Sequence, residues 1–178
     1  MRTDTPLSFR LALPADVPAL RVLYNEIIEA MDASCWHAQW RKDGYPTDAD
    51  LTQAAEQGNL HLALMGHSIV AAVVLNHECN PGYQDVPWQV TCSAQQVLCI
   101  HTLGVSPRFQ RCGIASAMVH YAADLARARG CKCLRLDVID TNHPADLLYT
   151  HLGFSYRETR CLHYESVSAA FNMYELVL

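Results

Sequence analysis

The stretch VLCIHTLGVSPRFQRCGIASAMVHYAADLARAR, residues 97–129, decides the fold of this chain. Residues 97–105 are apolar or β-branched apart from His101 and Gly104, which is typical of a strand buried on both faces. Pro107 ends this strand because proline has no N–H to donate to a neighbouring strand. Apolar residues then recur every three or four positions up to Gly130, a plausible C-terminal cap. The stretch therefore predicts a strand, a tight turn and a helix.

The turn itself, QRCGIA at residues 110–115, lies where the predicted helix begins. Gly113 and Ala115 would let a ligand approach the backbone closely, and the first N–H groups of a helix have no partner within it. The helix dipole favours negative charge at the same end. The turn thus has the features of a pyrophosphate cradle, although an ordinary strand-to-helix turn would explain the same local pattern.

Three motifs together resemble a known family. QRCGIA directly after LGVSP resembles motif A of the GNAT N-acetyltransferases, and LDVIDTN (136–142) and LYTHLGF (148–154) continue the resemblance. A dinucleotide-binding Rossmann fingerprint would also need glycines at Gln110 and Cys112. The resemblance implies an α/β GNAT (acyl-CoA N-acyltransferase) fold. Its sheet would be mixed, mostly antiparallel and six- to seven-stranded, flanked by helices, with central strands splayed into a V-shaped acyl-CoA slot.

The rest of the chain supplies the other elements of such a sheet. The order β-α-α-β-β-β-α-β-α-β-β predicts one domain over residues 1–178, with the strands at 97–105 and 133–138 parallel. Predicted strands are 7–13, 60–65, 69–77, 97–105, 133–138, 154–164 and 169–178, and further predicted helices start at Pro14, run over 48–57 and start at Pro144.

Composition excludes several classes of protein. The 178 residues carry a net charge of −5, which argues against a nucleic-acid binder. No apolar run is long enough to span a bilayer, so we expect no membrane partner. The N-terminal residues contain no apolar signal-like run, and we therefore expect a cytoplasmic protein.

The eight cysteines fit reduced thiols better than a disulfide framework. Cys99 and Cys133 lie in apolar strands, where buried free thiols are common. Cys131 and Cys133 lack a second pair of ligands, so no metal site is expected. Cys112, in the phosphate turn, would be a reactive thiol at a helix start.

The resemblance implies that acetyl-CoA is the acyl donor and assigns residues to it. Main-chain groups of Leu103 and Val105, around Gly104, would contact pantetheine. Asn142 would bond pantetheine or cap the following helix, or do both. The pyrophosphate would be held mainly by main-chain amides, those of Arg111, Cys112, Gly113, Ile114, Ala115 and Ser116.

Tyr149 is the predicted general acid, seven residues after Asn142 as in the family. Its phenol would donate a hydrogen bond to the coenzyme sulfur, although a packed tyrosine is the simpler reading of the residue alone. His101 is the first candidate for the base, because some relatives that acetylate arylalkylamines carry a histidine there. Asp137 is the second, since ribosomal-protein N-terminal acetyltransferases have a glutamate at that spacing; it could instead pair with Arg135.

The acceptor site is predicted in the irregular segment after the first helix. Trp36, Trp40 and Tyr45 could form an aromatic surface for an apolar or cationic acceptor, or a small satellite core. Glu26 is a weaker candidate for contacting the acceptor. This segment resembles a bacterial GNAT group of undefined substrate, so the resemblance does not identify the acceptor.

The sequence thus predicts an N-acetyltransferase that moves the acetyl group of acetyl-CoA to a primary amine of a small molecule, by direct attack in a ternary complex. A protein N-terminal or lysine acetyltransferase, a non-catalytic acyl-CoA-binding module and a pure interaction domain are the alternatives. The resemblance also allows a homodimer, since family members often dimerise, and residues 169–178 could exchange or pair between its subunits.

Overall fold

The computed structural model describes residues 6–34, 38–164 and 167–178. The strands are β1 (Leu7–Leu11), β2 (Leu60–Met65), β3 (Ser68–Asn76), β4 (Val97–Val105), β5 (Cys133–Ile139), β6 (Ser155–Tyr164) and β7 (Val167–Val177). The α-helices are α1 (Val17–Asp32), α2 (Asp48–Glu56), α3 (Ile114–Ala128) and α4 (His143–His151).

The seven strands form one mixed sheet in the order β1-β2-β3-β4-β5-β7-β6. β4 and β5 are parallel, with paired residues from Val97↔Cys133 to Cys99↔Arg135. The β5–β7 and β6–β7 pairs are antiparallel. The predicted α/β class, the element order and the parallel pair are confirmed.

One predicted boundary is wrong at the start of the chain. The first strand ends at Leu11, and Pro14–Asp16 form a 3-10 turn before α1 instead of its first α-helical turn. The reason is Asp16, whose carboxylate accepts a hydrogen bond from the Leu13 N–H at 2.8 Å and pairs with Arg10 at 2.7 Å. These bonds close a separate local turn that the apolar periodicity does not show.

The chain divides into two compact units, one built from residues up to 33, 40–75 and 101–121, the other from the remaining described residues. In the first, β1 and β2 pair antiparallel, and β2 and β3 form the predicted hairpin around Gly66, whose φ is 62°. The prediction of a single domain over residues 1–178 stays a prediction.

The second unit has its own apolar core against β4, β5, β7 and β6. The nine buried residues of this core are Tyr83, Val86, Val97, Cys99, Cys133, Ile139, Leu162, Phe171 and Met173. Cys99 and Cys133 are buried free thiols, as predicted. The connection between β3 and β4 contributes Tyr83 and Val86, so it packs on the sheet where a helix could have packed.

A buried ion pair fastens that connection. Arg135 on β5 and Glu175 on β7 are 6% and 1% exposed, and two guanidinium nitrogens of Arg135 donate to Glu175 Oε1 at 3.0 and 2.9 Å. Arg135 also donates to the Val90 carbonyl at 2.8 Å, and Glu175 Oε2 accepts from the Gln89 N–H at 2.6 Å. The ion pair therefore joins two strands and the 77–96 connection.

Candidate functional site

The turn between β4 and α3 has the backbone form expected of an anion site. Arg111 and Gly113 have positive φ values of 61° and 79°. The first helical hydrogen bond of α3 runs from the Ala117 N–H to the Gly113 carbonyl at 2.9 Å. The N–H groups of residues 114–116 therefore precede the α-helical ladder, where the helix dipole is positive.

This turn is also open. Arg111, Cys112 and Gly113 are exposed, and apart from Gly113 and its chain neighbours no atom lies within 4 Å of where a Cβ on Gly113 would be. The Cys112 thiol lies 3.6 Å from the Gln110 carbonyl, within its own loop. The turn thus has open space beside its backbone at Gly113, and its residues fit a diphosphate.

β4 is irregular at Thr102, directly after His101. The φ of Thr102 is 48°, a genuine outlier for a β-branched residue, which costs about 1–3 kcal/mol. The Thr102 carbonyl accepts a hydrogen bond from the Tyr24 hydroxyl on α1 at 2.8 Å. Burial raises the pKa of Tyr24, so this hydroxyl keeps its proton and acts as the donor. The irregularity interrupts the regular alternation of side chains along β4 between His101 and Leu103.

Gly104 is buried, between half-buried Leu103 and Val105, because α1 packs closely against it. A Cβ at this position would lie 2.8 Å from Ile27 Cδ1 and 3.2 Å from Tyr24 Cε1. The bulk of these two neighbours explains why this position carries glycine.

Gly104→Ala is therefore expected to lower the free energy of unfolding by about 1–3 kcal/mol, since Ile27 and Tyr24 must shift to admit the methyl group. Denaturant titration measures this change. Gly44→Ala is the matched control, because its Cβ would meet only Arg41 Cβ at an ordinary 3.5 Å. Equal stability of the two variants would contradict the packing described here.

The predicted acceptor residues that the structure describes have different contacts and different exposure. Trp36 lies outside the described residues. Trp40 is half-buried and packs edge-on against Tyr24, with ring centroids 5.5 Å apart, and Tyr45 is 47% exposed. Glu26 forms an ion pair with Arg108 at 2.7 Å. Trp40 thus belongs to the packing around Tyr24, as the satellite-core alternative expects.

In the second unit, Asn142 caps α4 and Tyr149 lies within that helix. The Asn142 side chain accepts a hydrogen bond from the Ala145 N–H at 3.4 Å. Tyr149 is 6% exposed, and its ring meets Phe154 edge-on at 5.3 Å. Burial, and then the charge of Asp137, raise the pKa of Tyr149. Among the described residues, the structure shows no hydrogen bond from the Tyr149 hydroxyl to another protein group.

Asp137 sits in a cluster that the sequence did not indicate. Its Oδ2 atom accepts hydrogen bonds from Asn80 Nδ2 at 2.9 Å, the Tyr83 hydroxyl at 3.1 Å and the Tyr164 hydroxyl at 2.6 Å. The suggested pairing of Asp137 with Arg135 is wrong, because the Arg135 guanidinium is engaged by Glu175. Burial, followed by the Asp137 charge, raises the pKa of Tyr83 well above its usual value and keeps it a donor.

Within the three described ranges of the chain, no group of three or more His, Cys, Asp or Glu side chains is placed to hold a metal ion. A helix long and apolar enough to span a bilayer is likewise not found among those residues.

Comparison with known proteins places these features in context. Residues 25–154 match the model of the acetyltransferase (GNAT) family. A GNAT-family acetyltransferase from Streptococcus agalactiae has a similar structure, with a TM-score of 0.81 at 19% identity, covering 97% of this chain and 95% of the other. No curated protein matches the chain.

Two further solved structures are similar to this chain, and their descriptions give a bound cofactor or an activity for those proteins. One is yncA from Salmonella typhimurium, solved with its cofactor acetyl-CoA (TM-score 0.69, 14% identity, covering 97% of this chain and 94% of that one). The other is the ribosomal-protein-S18-alanine N-acetyltransferase of Escherichia coli (TM-score 0.67, 18% identity, the same coverage of 97% and 94%). At these identities the likeness concerns the fold.

Proposed function

Because the chain belongs to the GNAT acetyltransferase family, we propose that it transfers the acetyl group of acetyl-CoA to a primary amine of a small molecule. The amine attacks directly in a ternary complex. The observation that carries this proposal is the open turn before α3, where backbone amides precede the helical ladder and Gly113 leaves room for a ligand. Acetyl-CoA supplies the activated acetyl thioester.

Main-chain groups hold the donor in this proposal. The amides of residues 111–116 bind the pyrophosphate, with Arg111 adding a positive charge beside it. The main chain of Leu103 to Val105 binds the pantetheine in the manner of an added strand and polarises the thioester carbonyl. The seven cysteines in the described part of the chain are free thiols, which suits the reducing cytoplasm we propose as its location.

Tyr149 acts as the general acid. A thiolate leaving group needs a proton or a strong hydrogen-bond donor. The raised pKa of Tyr149 keeps its phenol protonated at neutral pH. The motif spacing from Asn142 and the 6% exposure of the side chain support this role.

His101 takes the proton of the attacking amine, and Asp137 is the competing candidate. The three donors on Asp137 Oδ2 support a positioning role for this carboxylate. His101→Gln is then expected to lower kcat by about 10²-fold or more with an alkylamine, which arrives as a cation. Asp137→Asn is expected to lower it less.

An acceptor that is already neutral at the assay pH separates the two candidates. Such an amine should restore much of the rate lost in His101→Gln, because no proton then has to be removed first. Rescue of Asp137→Asn in place of His101→Gln would transfer the role of base to Asp137.

A protein N-terminal acetyltransferase is the second candidate function. The spacing of Asp137, Asn142 and Tyr149 resembles that of ribosomal-protein N-terminal acetyltransferases, and one such enzyme shares the fold. A lysine acetyltransferase would use the same chemistry on a protein side chain.

A thiol-release screen tests the proposal directly. Acetyl-CoA is offered with polyamines, amino acids, aminoglycosides, arylalkylamines and peptides, and free thiol is measured over time. The proposal expects release with a small amine, whereas release only with peptides would establish the second candidate. Acetyl-CoA binding without release for any acceptor would identify a non-catalytic module.

A further inference from the structure

Two thiols are in contact near the start of the connection between β3 and β4. Cys79 Sγ and Cys99 Sγ are 3.4 Å apart, within hydrogen-bond distance for sulfur. Cys99, on β4, is 0% exposed, whereas Cys79 is exposed. A reactant from solvent can therefore reach Cys79, with the second thiol directly behind it.

The surroundings make Cys79 the more acidic thiol of the pair. The hydrogen bond from the Cys99 thiol lowers the pKa of Cys79 to about 7, with the Arg135 guanidinium acting in the same direction. The same hydrogen bond, burial and the negative charge of Cys79 raise the pKa of Cys99. The pair therefore presents an exposed thiolate hydrogen-bonded to a buried thiol, which is the arrangement of an attacking and a resolving cysteine.

We propose that Cys79 and Cys99 form a thiol–disulfide exchange site that reacts with low-molecular-weight disulfides, RS–SR, a property separate from the proposed acetyl transfer. The Cys79 thiolate attacks one sulfur, forms a mixed disulfide and releases RS⁻, which takes a proton from water. Cys99 then loses its proton to solvent and attacks Cys79 Sγ, and the second RS⁻ leaves. The disulfide substrate is reduced to two RSH molecules, and the two cysteines are oxidised to one disulfide.

The second step is favoured by the first. Two of the causes that raise the pKa of Cys99, its hydrogen bond to the Cys79 sulfur and the charge of that sulfur, are weakened once Cys79 is in a mixed disulfide. Arg135 continues to favour the Cys99 thiolate. The short distance between the sulfurs means that only a small movement is needed for the bond to form.

A second thiol pair in the same unit provides an internal comparison. Cys92 Sγ and Cys133 Sγ are 3.8 Å apart. Cys92 is half-buried, whereas Cys79 is exposed, and Cys133 is 0% exposed. Burial raises the pKa of Cys133, its sulfur lies farther from that of its partner, and Cys92 is less exposed than Cys79. The exchange site is therefore assigned to Cys79 and Cys99.

Disulfide formation at this site would restrain a residue that hydrogen-bonds to Asp137. Asn80, the residue after Cys79, donates a hydrogen bond to Asp137 Oδ2 at 2.9 Å. A bond between Cys79 and Cys99 would fix the backbone beside Asn80 to β4.

The test uses the full-length reduced protein and one equivalent of dithiobis(nitrobenzoate), an aromatic disulfide. We expect two thiolates to be released per reagent consumed, and peptide mapping to find a disulfide between residues 79 and 99. At pH 7, the fast reaction with the reagent should map to Cys79, because its lowered pKa gives this thiol a large thiolate fraction.

Three variants make the test specific. Cys99→Ala should release one thiolate and keep a mixed disulfide at residue 79, Cys79→Ser should lose the fast reaction, and Cys161→Ser should behave as the unmodified protein. Cys79→Ser alters an exposed side chain, so it remains informative if Cys99→Ala fails to fold. A persistent mixed disulfide in the unmodified protein, or a bridge mapped to Cys92 and Cys133, would overturn the proposal.

Discussion

Tyr149→Phe is expected to lower kcat for acetyl transfer by about 10²- to 10⁴-fold while leaving the affinity for coenzyme A nearly unchanged. The variant keeps the ring that packs against Phe154 and removes only the hydroxyl. That hydroxyl is the proposed proton donor to the leaving thiolate. Because burial raises the pKa of Tyr149 above its usual value near 10, the proton stays in place as the pH rises through the assay range.

Steady-state kinetics and calorimetric titration with coenzyme A measure the two quantities separately. Tyr156→Phe is a matched control, because Tyr156 is exposed and its hydroxyl bonds only the nearby Thr159 among described groups. Its kcat should be that of the unmodified enzyme. A Tyr149→Phe variant with full kcat would remove the general-acid assignment.

Glu175→Gln is expected to lower the free energy of unfolding by about 3 kcal/mol or more, the largest stability effect we expect. The change leaves the Arg135 guanidinium buried without a counter-charge, next to the Trp88 ring on which it stacks at 4.3 Å. It also weakens the hydrogen bond from the Gln89 N–H, which holds the connection between β3 and β4.

Denaturant unfolding of the two proteins measures this difference. Asp124→Asn is the control, because it breaks an ion pair with Arg127 whose side chains are both exposed, and it should cost no more than about 0.5 kcal/mol. If Glu175→Gln lowered the free energy of unfolding no more than this control does, the ion pair would not contribute the stability that we expect.

Much of the fold follows from local pattern. The apolar run of β4 and the three- to four-residue spacing of α3 predicted both elements, and Gly130, with φ 73°, ends the helix region as expected. Of the two roles predicted for Asn142, capping is confirmed, and it was predictable because a capping residue and its helix are adjacent in sequence. Such features need only a few neighbouring residues.

The parts that were missed depend on residues far apart in the chain. Asp137 meets Asn80 and Tyr83 across 57 and 54 positions, and Arg135 meets Glu175 across 40. The alternation of strand residues indicates which face a side chain takes but not its partner on another element. The positive φ of Thr102 could not be predicted either, because threonine favours regular strand conformation. The hydrogen bond that the Thr102 carbonyl accepts comes from Tyr24 on α1, far away in the sequence.

The central claim is that main-chain amides of residues 111–116 bind the pyrophosphate of acetyl-CoA, and a crystal structure of the protein with coenzyme A tests it most directly. We predict phosphate oxygens within about 2.7–3.2 Å of N–H groups in that turn. A pyrophosphate bound elsewhere on the protein, or turn amides occupied by the protein's own side chains in the complex, would contradict it.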